Sequence, residues 1–332
     1  MARADLVFEG GGVKGIGLAG AYRELRERGY EPACVAGTSA GAITAALVAV
    51  GYSGPELEDV VLEQMHFTEF ADHGRFGFLG EVGEAVVTRG LHSGRYFLGW
   101  MRECLEHKRI THFGQLRDKS ATQESRRYRL QVVASDLSTR SMLVLPRDAD
   151  QLGLDPDELE IAEAVRMSMS IPVFFEPVTL KDPRTGASHV IVDGGILSNF
   201  PVWLFDCQGR SPEFPTFGML LVAPGQSAPL IPASAGGEAA APIASDLDFV
   251  KAMAETMMEA HDRLYLDQAS FARTIPIPTL GVRTTEFAIP HERARALFDS
   301  GRHAAARFLE SWDFDTYVQR YRRDAVARSR PV

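Results

Sequence analysis

The stretch Leu6-Val-Phe-Glu-Gly-Gly-Gly-Val-Lys-Gly15 decides how the chain begins to fold. An apolar run leads into consecutive glycines, and residues 16–28 then repeat apolar side chains at helical spacing until Gly29. This pattern predicts a short buried strand, a glycine loop and a helix.

The same order of elements follows immediately. A second apolar run, Cys34-Val-Ala36, leads into Gly37-Thr-Ser-Ala-Gly41, and residues 42–50 favour a helix that ends at Gly51. Two strand–helix units in succession favour an α/β fold with a parallel sheet and crossover helices. Functional groups collect beyond the carboxyl ends of such strands, so we expect both glycine-containing loops at one edge of the sheet.

Weaker patterns predict the remaining elements. Strands are predicted at Tyr128–Ala134, Ser141–Leu145, His189–Val192 and Phe217–Val222. Helices are predicted at Tyr96–Glu106, Glu160–Met169, Phe249–Phe271 and His291–Trp312. Residues 224–245 are rich in Ala, Pro, Gly and Ser, which predicts a flexible surface loop before a helical C-terminal part at 246–332. We expect the whole chain, 1–332, to form one domain.

The composition limits the partners. The chain contains 35 Lys and Arg against 44 Asp and Glu, and the net charge of -9 argues against a nucleic-acid partner. Cys34, Cys104 and Cys207 are too widely spaced for a disulfide framework or a zinc site, and we expect no metal. Neither a signal-peptide core nor a membrane-spanning apolar run is evident, so we expect a cytoplasmic protein, with export by an unmarked route left open.

The glycine loop offers a site for negative charge. As G-x-G-x-x-G it would suggest a dinucleotide site, but the second strand ends in Gly37-Thr-Ser39 instead of an acidic residue, and Glu31 is predicted to precede that strand. A P-loop would need Lys and then Ser or Thr after Gly15, where Ile16 follows. What remains is a row of backbone N–H groups at the positive end of a helix, which can hold a phosphate or the oxyanion of a tetrahedral intermediate.

Gly37-x-Ser39-x-Gly41 has the pattern of a nucleophile elbow, in which small residues allow a tight turn that exposes the serine oxygen. The alternative is a plain helix N-cap made by Ser39 or Thr38. The neighbouring donor-rich loop favours the nucleophile.

A serine nucleophile needs a base. The late histidines do not lie in glycine-flanked loops at strand ends, and we predict that they are surface or helix-face residues: His189, His261, His291 and His303. Asp193-Gly-Gly195 follows an apolar run at residues 190–192 and places a carboxylate at the end of a strand, although an ordinary Asp-Gly turn has the same sequence.

Together, Gly10-Gly-Gly-Val-Lys-Gly15, Gly37-Thr-Ser-Ala-Gly41 and Asp193-Gly-Gly195 resemble the motifs of the patatin-like phospholipases. Further blocks follow in the family's order: Leu91-His-Ser-Gly94, Ser135-Asp-Leu137, Ser168-Met-Ser-Ile-Pro172, Phe175-Glu-Pro177 and Asn199-Phe-Pro201. The resemblance covers about residues 4–205, and residues 278–309 are similar to the tail of bacterial members. It implies a three-layer α/β/α sandwich with a mainly parallel central sheet, and a Ser–Asp dyad that uses no histidine. No calcium-loop pattern is present in the sequence, so we expect the reaction to need no metal and no cofactor.

Carried over position by position, the resemblance implies Ser39 as nucleophile, Asp193 as base, and Gly37 and Gly41 as the glycines of the elbow. The implied oxyanion hole is the loop Gly10, Gly11, Gly12, Val13, Lys14 and Gly15, with the N–H groups of Gly11, Gly12 and Val13 as donors. The implied activity is hydrolysis of acyl esters in phospholipids or other acyl lipids, with peripheral membrane contact. Two alternatives stay open: an esterase or thioesterase for soluble substrates, and a non-catalytic module that binds lipid or another anion.

Two further features bear on membrane contact. An aromatic cluster is either a lid or acyl-groove mouth, or a loop packed on the core: Phe67, Phe70, Phe76, Phe78 and Leu79. The C-terminal arginines either touch anionic head groups or form a solvated helix end: Arg320, Arg322, Arg323, Arg328 and Arg330.

Overall fold

The computed structural model describes residues 1–70, 92–207, 211–224, 252–253, 256–257 and 267–322. Its centre is a sheet whose strands are β1 (Ala2–Phe8), β2 (Tyr30–Thr38), β3 (Leu130–Asp136), β4 (Ser141–Leu145), β5 (Val178–Lys181), β6 (Ser188–Asp193), β7 (Thr216–Val222) and β8 (Thr274–Pro278). The order is β5-β6-β3-β2-β1-β7-β8, and β4 also pairs with β3. The pairs from β3 through β8 along this order are parallel, whereas β3–β4, β3–β6 and β5–β6 are antiparallel.

The helices are α1 (Ile16–Glu27), α2 (Ala40–Ala49), α3 (Gly54–Asp59), α4 (Phe67–Phe70), α5 (Arg95–His107), α6 (Ile161–Ser168), α7 (Gln268–Ala272), α8 (His291–Ser311) and α9 (Phe314–Tyr321). Alternate residues of the strands enter two separate apolar clusters, because successive side chains of a strand point to opposite faces. Leu6 and Phe8 pack with α1, α2 and α8, whereas Val7 packs with the segment that includes the turn Val202–Phe205. The sheet is therefore the buried middle layer of a three-layer α/β/α sandwich.

Most of the predicted elements are confirmed within a few residues. The second strand begins at Tyr30, so Glu31 lies inside it and the prediction that Glu31 precedes the strand is wrong. Strands β5 and β8 were not predicted. The predicted helix at 249–271 is described only in part, and the predicted loop at 224–245 lies outside the described residues except for its first residue.

Strands β2, β3 and β6 adjoin near the motifs that contain Ser39 and Asp193. β4 covers one edge of β3 over Val132–Asp136, so β2 and β6 must share the other edge. Along that edge β2 ends with Thr38 opposite Val133, and β6, running the opposite way, ends with Asp193 opposite Ala134. The two strands therefore end head to head, which brings positions 39 and 193 together.

Candidate active site

Ser39 occupies a strained turn between β2 and α2. Its φ of 54° and ψ of -125° lie outside the regions that L residues favour. A Cβ on Gly37 would meet the Gly41 carbonyl oxygen at 2.2 Å, and a Cβ on Gly41 would meet the Phe8 carbonyl oxygen at 2.2 Å. The turn thus requires glycine at both flanking positions, as in a nucleophile elbow.

Hydrogen bonds hold this turn through its backbone. Ser39 N–H donates to Ser168 Oγ at 2.9 Å, and Ser168 Oγ donates to the Val133 carbonyl at 2.6 Å. Thr38 Oγ1 donates to the Ser198 carbonyl at 3.0 Å. The Ser39 side chain makes no capping hydrogen bond to α2, so the N-cap alternative does not describe its role.

We expect Gly41→Ala to destabilise the fold by about 3 kcal/mol, because the new methyl group meets backbone that cannot move aside cheaply. Gly99→Ala is the matched control: Gly99 lies within α5, where a Cβ has nothing within 4 Å, and the change should stabilise by up to about 1 kcal/mol. Urea unfolding of both variants measures the difference. Equal stabilities would contradict the close approach at Gly41.

Asp193 is fully buried beside Ser39. Burial raises the pKa of its carboxyl to about 7, although the Ser39 hydroxyl and the Gly195 N–H both favour the charged form. Oδ1 accepts from the Gly195 N–H at 2.8 Å, whereas Oδ2 has no partner in hydrogen-bonding geometry. The interaction with Ser39 is thus looser than a formed hydrogen bond, and Oδ2 remains available for a proton.

Three N–H groups of the glycine loop donate hydrogen bonds to backbone carbonyls. Gly10 N–H donates to the Asn199 carbonyl at 3.0 Å, Val13 N–H to the Thr284 carbonyl at 3.0 Å, and Lys14 N–H to the Gly11 carbonyl at 3.1 Å. Among the residues that the structure describes, the N–H groups of Gly11 and Gly12 have no acceptor. The loop can therefore present two unpaired donors, while the N–H of Val13 is occupied.

The glycine loop also lies against the elbow. A Cβ on Gly15 would meet the Cβ of Ala40, the first residue of α2, at 2.9 Å. A Cβ on Gly12, whose φ is +55°, would meet the Thr284 carbonyl oxygen at 2.1 Å. Glycines are needed here because a second chain segment closes over each of them.

An apolar cavity of about 40 Å³ opens beside Ser39. Its lining includes backbone of the glycine loop, the first turns of α2, and side chains from more distant segments: Gly12, Gly15, Ile16, Ser39, Ala40, Ile43, Thr44, Val61, Met65, Phe67, Phe70, Met169, Ile171, Phe175 and Phe287. Phe67 and Phe70 of the predicted aromatic cluster are therefore wall residues, while Phe76, Phe78 and Leu79 lie outside the described residues. Met and aromatic walls can re-pack around a flexible apolar group.

The late histidines that the structure describes do not join this site. His189 is a buried residue of β6, and its Nδ1 lies 2.7 Å from Asp136 Oδ2, so the prediction of a surface or helix-face position is wrong for it. His291 pairs with Glu63 at the surface, and His303 is exposed on α8. His261 lies outside the described residues.

Two of the five C-terminal arginines lie within the described residues. Arg322 donates to Asp206 Oδ1 at 2.7 Å and is largely buried, so it is not a free surface cation. Arg320 stacks on Tyr321, and Arg323, Arg328 and Arg330 lie outside the described residues.

Sequence reasoning missed several residues of the site. Ser168 and Asn199 lie in family-like blocks of the sequence, but the sequence pattern indicates no role for either residue. Thr284 and Phe287 carry no motif, and only the folded chain brings them to the glycine loop and the cavity.

The sequence also matches a known protein family. The family model described as patatin-like phospholipase matches residues 6–206, which is more than half of the chain. The chain belongs to the patatin-like phospholipase family. Its relatives include the uncharacterized protein YqhO of Bacillus subtilis, 37% identical over 314 residues that cover 93% of this chain and 99% of YqhO.

Other likenesses are more distant. An uncharacterized NTE family protein of Mycobacterium bovis is 28% identical over 199 residues, which cover 59% of this chain but only 27% of that protein. The crystal structure of VipD from Legionella pneumophila superposes with a TM-score of 0.58 at 17% identity, covering 94% of this patatin-like chain and 67% of VipD. At that identity the likeness shows a shared fold.

The described residues contain neither a metal-binding cluster nor a membrane-spanning helix. No group of three or more His, Cys, Asp or Glu side chains within them could hold a metal ion. Nor does any helix in that part of the patatin-like chain have the length and apolar character needed to cross a membrane.

Proposed function

We propose that this patatin-like protein hydrolyses fatty-acyl esters of phospholipids or related lipids, with Ser39 as nucleophile and Asp193 as base. The observation that carries the proposal is the juxtaposition of the strained Ser39 turn, a buried carboxyl with a raised pKa, and an apolar cavity. Strain at a serine with no capping role is typical of a functional position. A carboxyl whose pKa is near 7 can both accept and return a proton at neutral pH.

The proposed reaction has two halves. Asp193 accepts the Ser39 hydroxyl proton as Oγ attacks the ester carbonyl, and the N–H groups of Gly11 and Gly12 hold the resulting oxyanion. The tetrahedral intermediate collapses, Asp193 returns the proton to the departing alcohol, and an acyl-enzyme remains. Asp193 then deprotonates a water that attacks the acyl-enzyme, and it returns that proton to Ser39 Oγ as the ester bond breaks, which releases the fatty acid and restores Ser39.

The positive end of α2 supports the nucleophile in this scheme. The helix begins at Ala40, directly after Ser39, so its N-terminal peptide dipoles favour negative charge that develops on Oγ. Asp193 lies away from solvent, which strengthens its interaction with the serine hydroxyl.

The apolar cavity favours an acyl chain over a small polar ester. Its walls are mainly aliphatic, methionine and aromatic side chains, and it directly adjoins Ser39. At about 40 Å³ the space is well below that of a cavity of ~150 Å³ that holds one benzene, so a long acyl chain must displace the walls. Met65 and Met169 are the wall side chains best suited to move.

A digest of mixed phospholipid vesicles analysed by mass spectrometry tests the substrate class. Release of free fatty acid and lysophospholipid supports the proposal. Turnover of short-chain soluble esters with intact phospholipid would favour the soluble esterase, and vesicle binding without any released acid would favour a binding module.

Ile43→Trp should shorten the acyl chains that the protein accepts. Ile43 lines the cavity one helical turn after Ser39, so a larger side chain there removes space for methylene groups. We expect kcat/KM for a decanoyl ester to fall at least about 10-fold relative to an acetyl ester, because each lost methylene contact is worth roughly 1 kcal/mol or more. Leu137→Trp, at an exposed position, is the control. An unchanged decanoyl-to-acetyl ratio would exclude this cavity as the acyl site.

A further inference from the structure

Asn199 lies next to both the glycine loop and the turn that contains Ser39. It lies six residues after Asp193, where the chain has turned back from β6 to meet the glycine loop. A Cβ on Gly10 would meet Asn199 Oδ1 at 2.1 Å and Ser39 Cβ at 3.1 Å, so the amide and the serine are neighbours across Gly10. Asn199 is only 6% exposed.

The backbone and the side chain of Asn199 form hydrogen bonds with the N–H and the carbonyl of Gly10, respectively. The Asn199 carbonyl accepts from the Gly10 N–H at 3.0 Å, and Asn199 Nδ2 donates to the Gly10 carbonyl at 3.1 Å. Nδ2 also lies 3.5 Å from Glu9 Oε1. Because both partners of Nδ2 are acceptors, the amide orientation is fixed: its nitrogen faces the Gly10 carbonyl, while its oxygen lies toward the Gly10 Cα.

These hydrogen bonds fix the direction of the neighbouring Gly11 N–H. The carbonyl of Gly10 and the N–H of Gly11 belong to one planar trans peptide, in which they point in opposite directions. When Asn199 holds the Gly10 carbonyl, the Gly11 N–H must point away from Asn199. Gly11 is one of the two loop residues whose N–H has no acceptor among the described residues.

A buried carboxylate anchors the asparagine in turn. Glu9 is 6% exposed, and its Oε2 accepts from the Leu221 N–H of β7 at 2.5 Å. The chain of contacts therefore runs from the central sheet through Glu9 and Asn199 to the Gly10–Gly11 peptide.

We propose that Asn199 is a positioning residue: its amide sets the plane of the Gly10–Gly11 peptide and so aims the Gly11 N–H at the oxyanion that forms on attack by Ser39. The inference rests on the proposed ester hydrolysis. It assigns a function to a side chain that touches neither Ser39 Oγ nor the substrate, and it predicts that the effect of Asn199 is expressed only in the transition state.

The test is Asn199→Asp, which keeps the shape of the side chain but replaces the donor by a second acceptor facing the Gly10 carbonyl and Glu9. Rates are measured with an aryl ester on the alkaline plateau, so that a changed titration of Asp193 does not enter, and are divided by the number of sites that a fluorophosphonate labels to completion. We expect kcat per labelled site to fall about 30- to 100-fold with KM changed less than about 3-fold. The inhibition constant of a trifluoromethyl ketone, which forms a reversible tetrahedral adduct, should rise by the same factor as kcat falls.

A second variant and a control separate positioning from folding. Asn199→Ser is smaller, and its hydroxyl cannot reach the Gly10 carbonyl, so it should show the same pattern if Asn199→Asp fails to fold. Gln131→Glu makes the same amide-to-acid change at another buried position, on β3, where Nε2 donates to the Ser125 carbonyl. It should lower stability while leaving the rate per labelled site and the ketone inhibition constant unchanged.

The possible outcomes are distinct. An unchanged rate per labelled site in the Asn199 variants, or a loss explained entirely by fewer labelled sites, would overturn the positioning role while leaving the proposed function intact. A wild-type protein that neither cleaves esters nor reacts with the fluorophosphonate would overturn the proposed function and this inference with it.

Discussion

Ser39→Ala should lower fatty-acid release from phospholipid by at least about 10⁴-fold, because removing a serine nucleophile leaves only the catalysis that the rest of the site provides. The loss should appear in kcat, with vesicle binding unchanged, since the serine hydroxyl is a minor part of the cavity wall. The variant should fold, because the hydrogen bond that holds the turn comes from the backbone N–H of Ser39.

Ser300→Ala is the matched control for this variant. Ser300 lies on α8, donates to the Pro278 carbonyl at 2.7 Å and is not among the residues that line the cavity. It should keep the wild-type rate. A Ser39→Ala protein that still released fatty acid at a rate within about 10-fold of wild type would exclude Ser39 as the nucleophile.

Asp193→Asn should lower kcat/KM by about 10³-fold, because an amide cannot accept the serine proton. The wild-type rate should rise with pH and level off above about 7, since the carboxyl must be ionised to act as a base and its pKa is raised to about 7. The residual rate of the variant should lose this dependence. A wild-type profile that stays flat between pH 5 and 9 would contradict Asp193 as the base.

The same substitution should stabilise the fold at alkaline pH. The pKa of Asp193 is 3.8 when unperturbed and about 7 in the folded protein, so the folded state binds the extra proton between these values and its stability falls as pH rises through that window. Above pH 7 the buried charge costs up to about 4 kcal/mol. Asp193→Asn removes this cost, so its advantage over wild type in urea unfolding should be largest at pH 8 and small at pH 4.

A second buried carboxyl does not disturb this comparison. Burial raises the pKa of Asp5 to about 6 despite its ion pair with Arg126. Asp5 titrates equally in wild type and variant, so its contribution cancels in the difference. An Asp193→Asn protein that is equally destabilised at both pH values would mean that the residue serves the fold and carries no buried charge.

The features of the site that could be predicted from the sequence are those set by residues close together in the chain. The elbow could be identified because its turn admits only glycine at positions 37 and 41, a constraint that is visible in the sequence. The two strand–helix units were predictable for a similar reason, since apolar spacing and glycine stops lie within fifty residues of each other.

The unpredictable part depends on contacts between distant segments. The antiparallel entry of β6, which brings Asp193 to Ser39, is set by pairing with β3 and has no signal in the Asp-Gly turn itself. β8 was missed because the prolines at 276 and 278 weaken its strand pattern, and as the outermost strand after β7 it tolerates them. The Thr284 carbonyl that occupies the Val13 N–H lies 271 positions further along the chain.

We propose above that Ser39 is an activated nucleophile with Asp193 as its base. The most direct measurement treats the native protein with a fluorophosphonate and locates the adduct by peptide mass spectrometry. We expect one adduct, on Ser39, that forms faster as pH rises through about 7 and more slowly in Asp193→Asn. An adduct on another residue, or fatty-acid release by a protein whose Ser39 stays unmodified and whose activity survives the reagent, would contradict it.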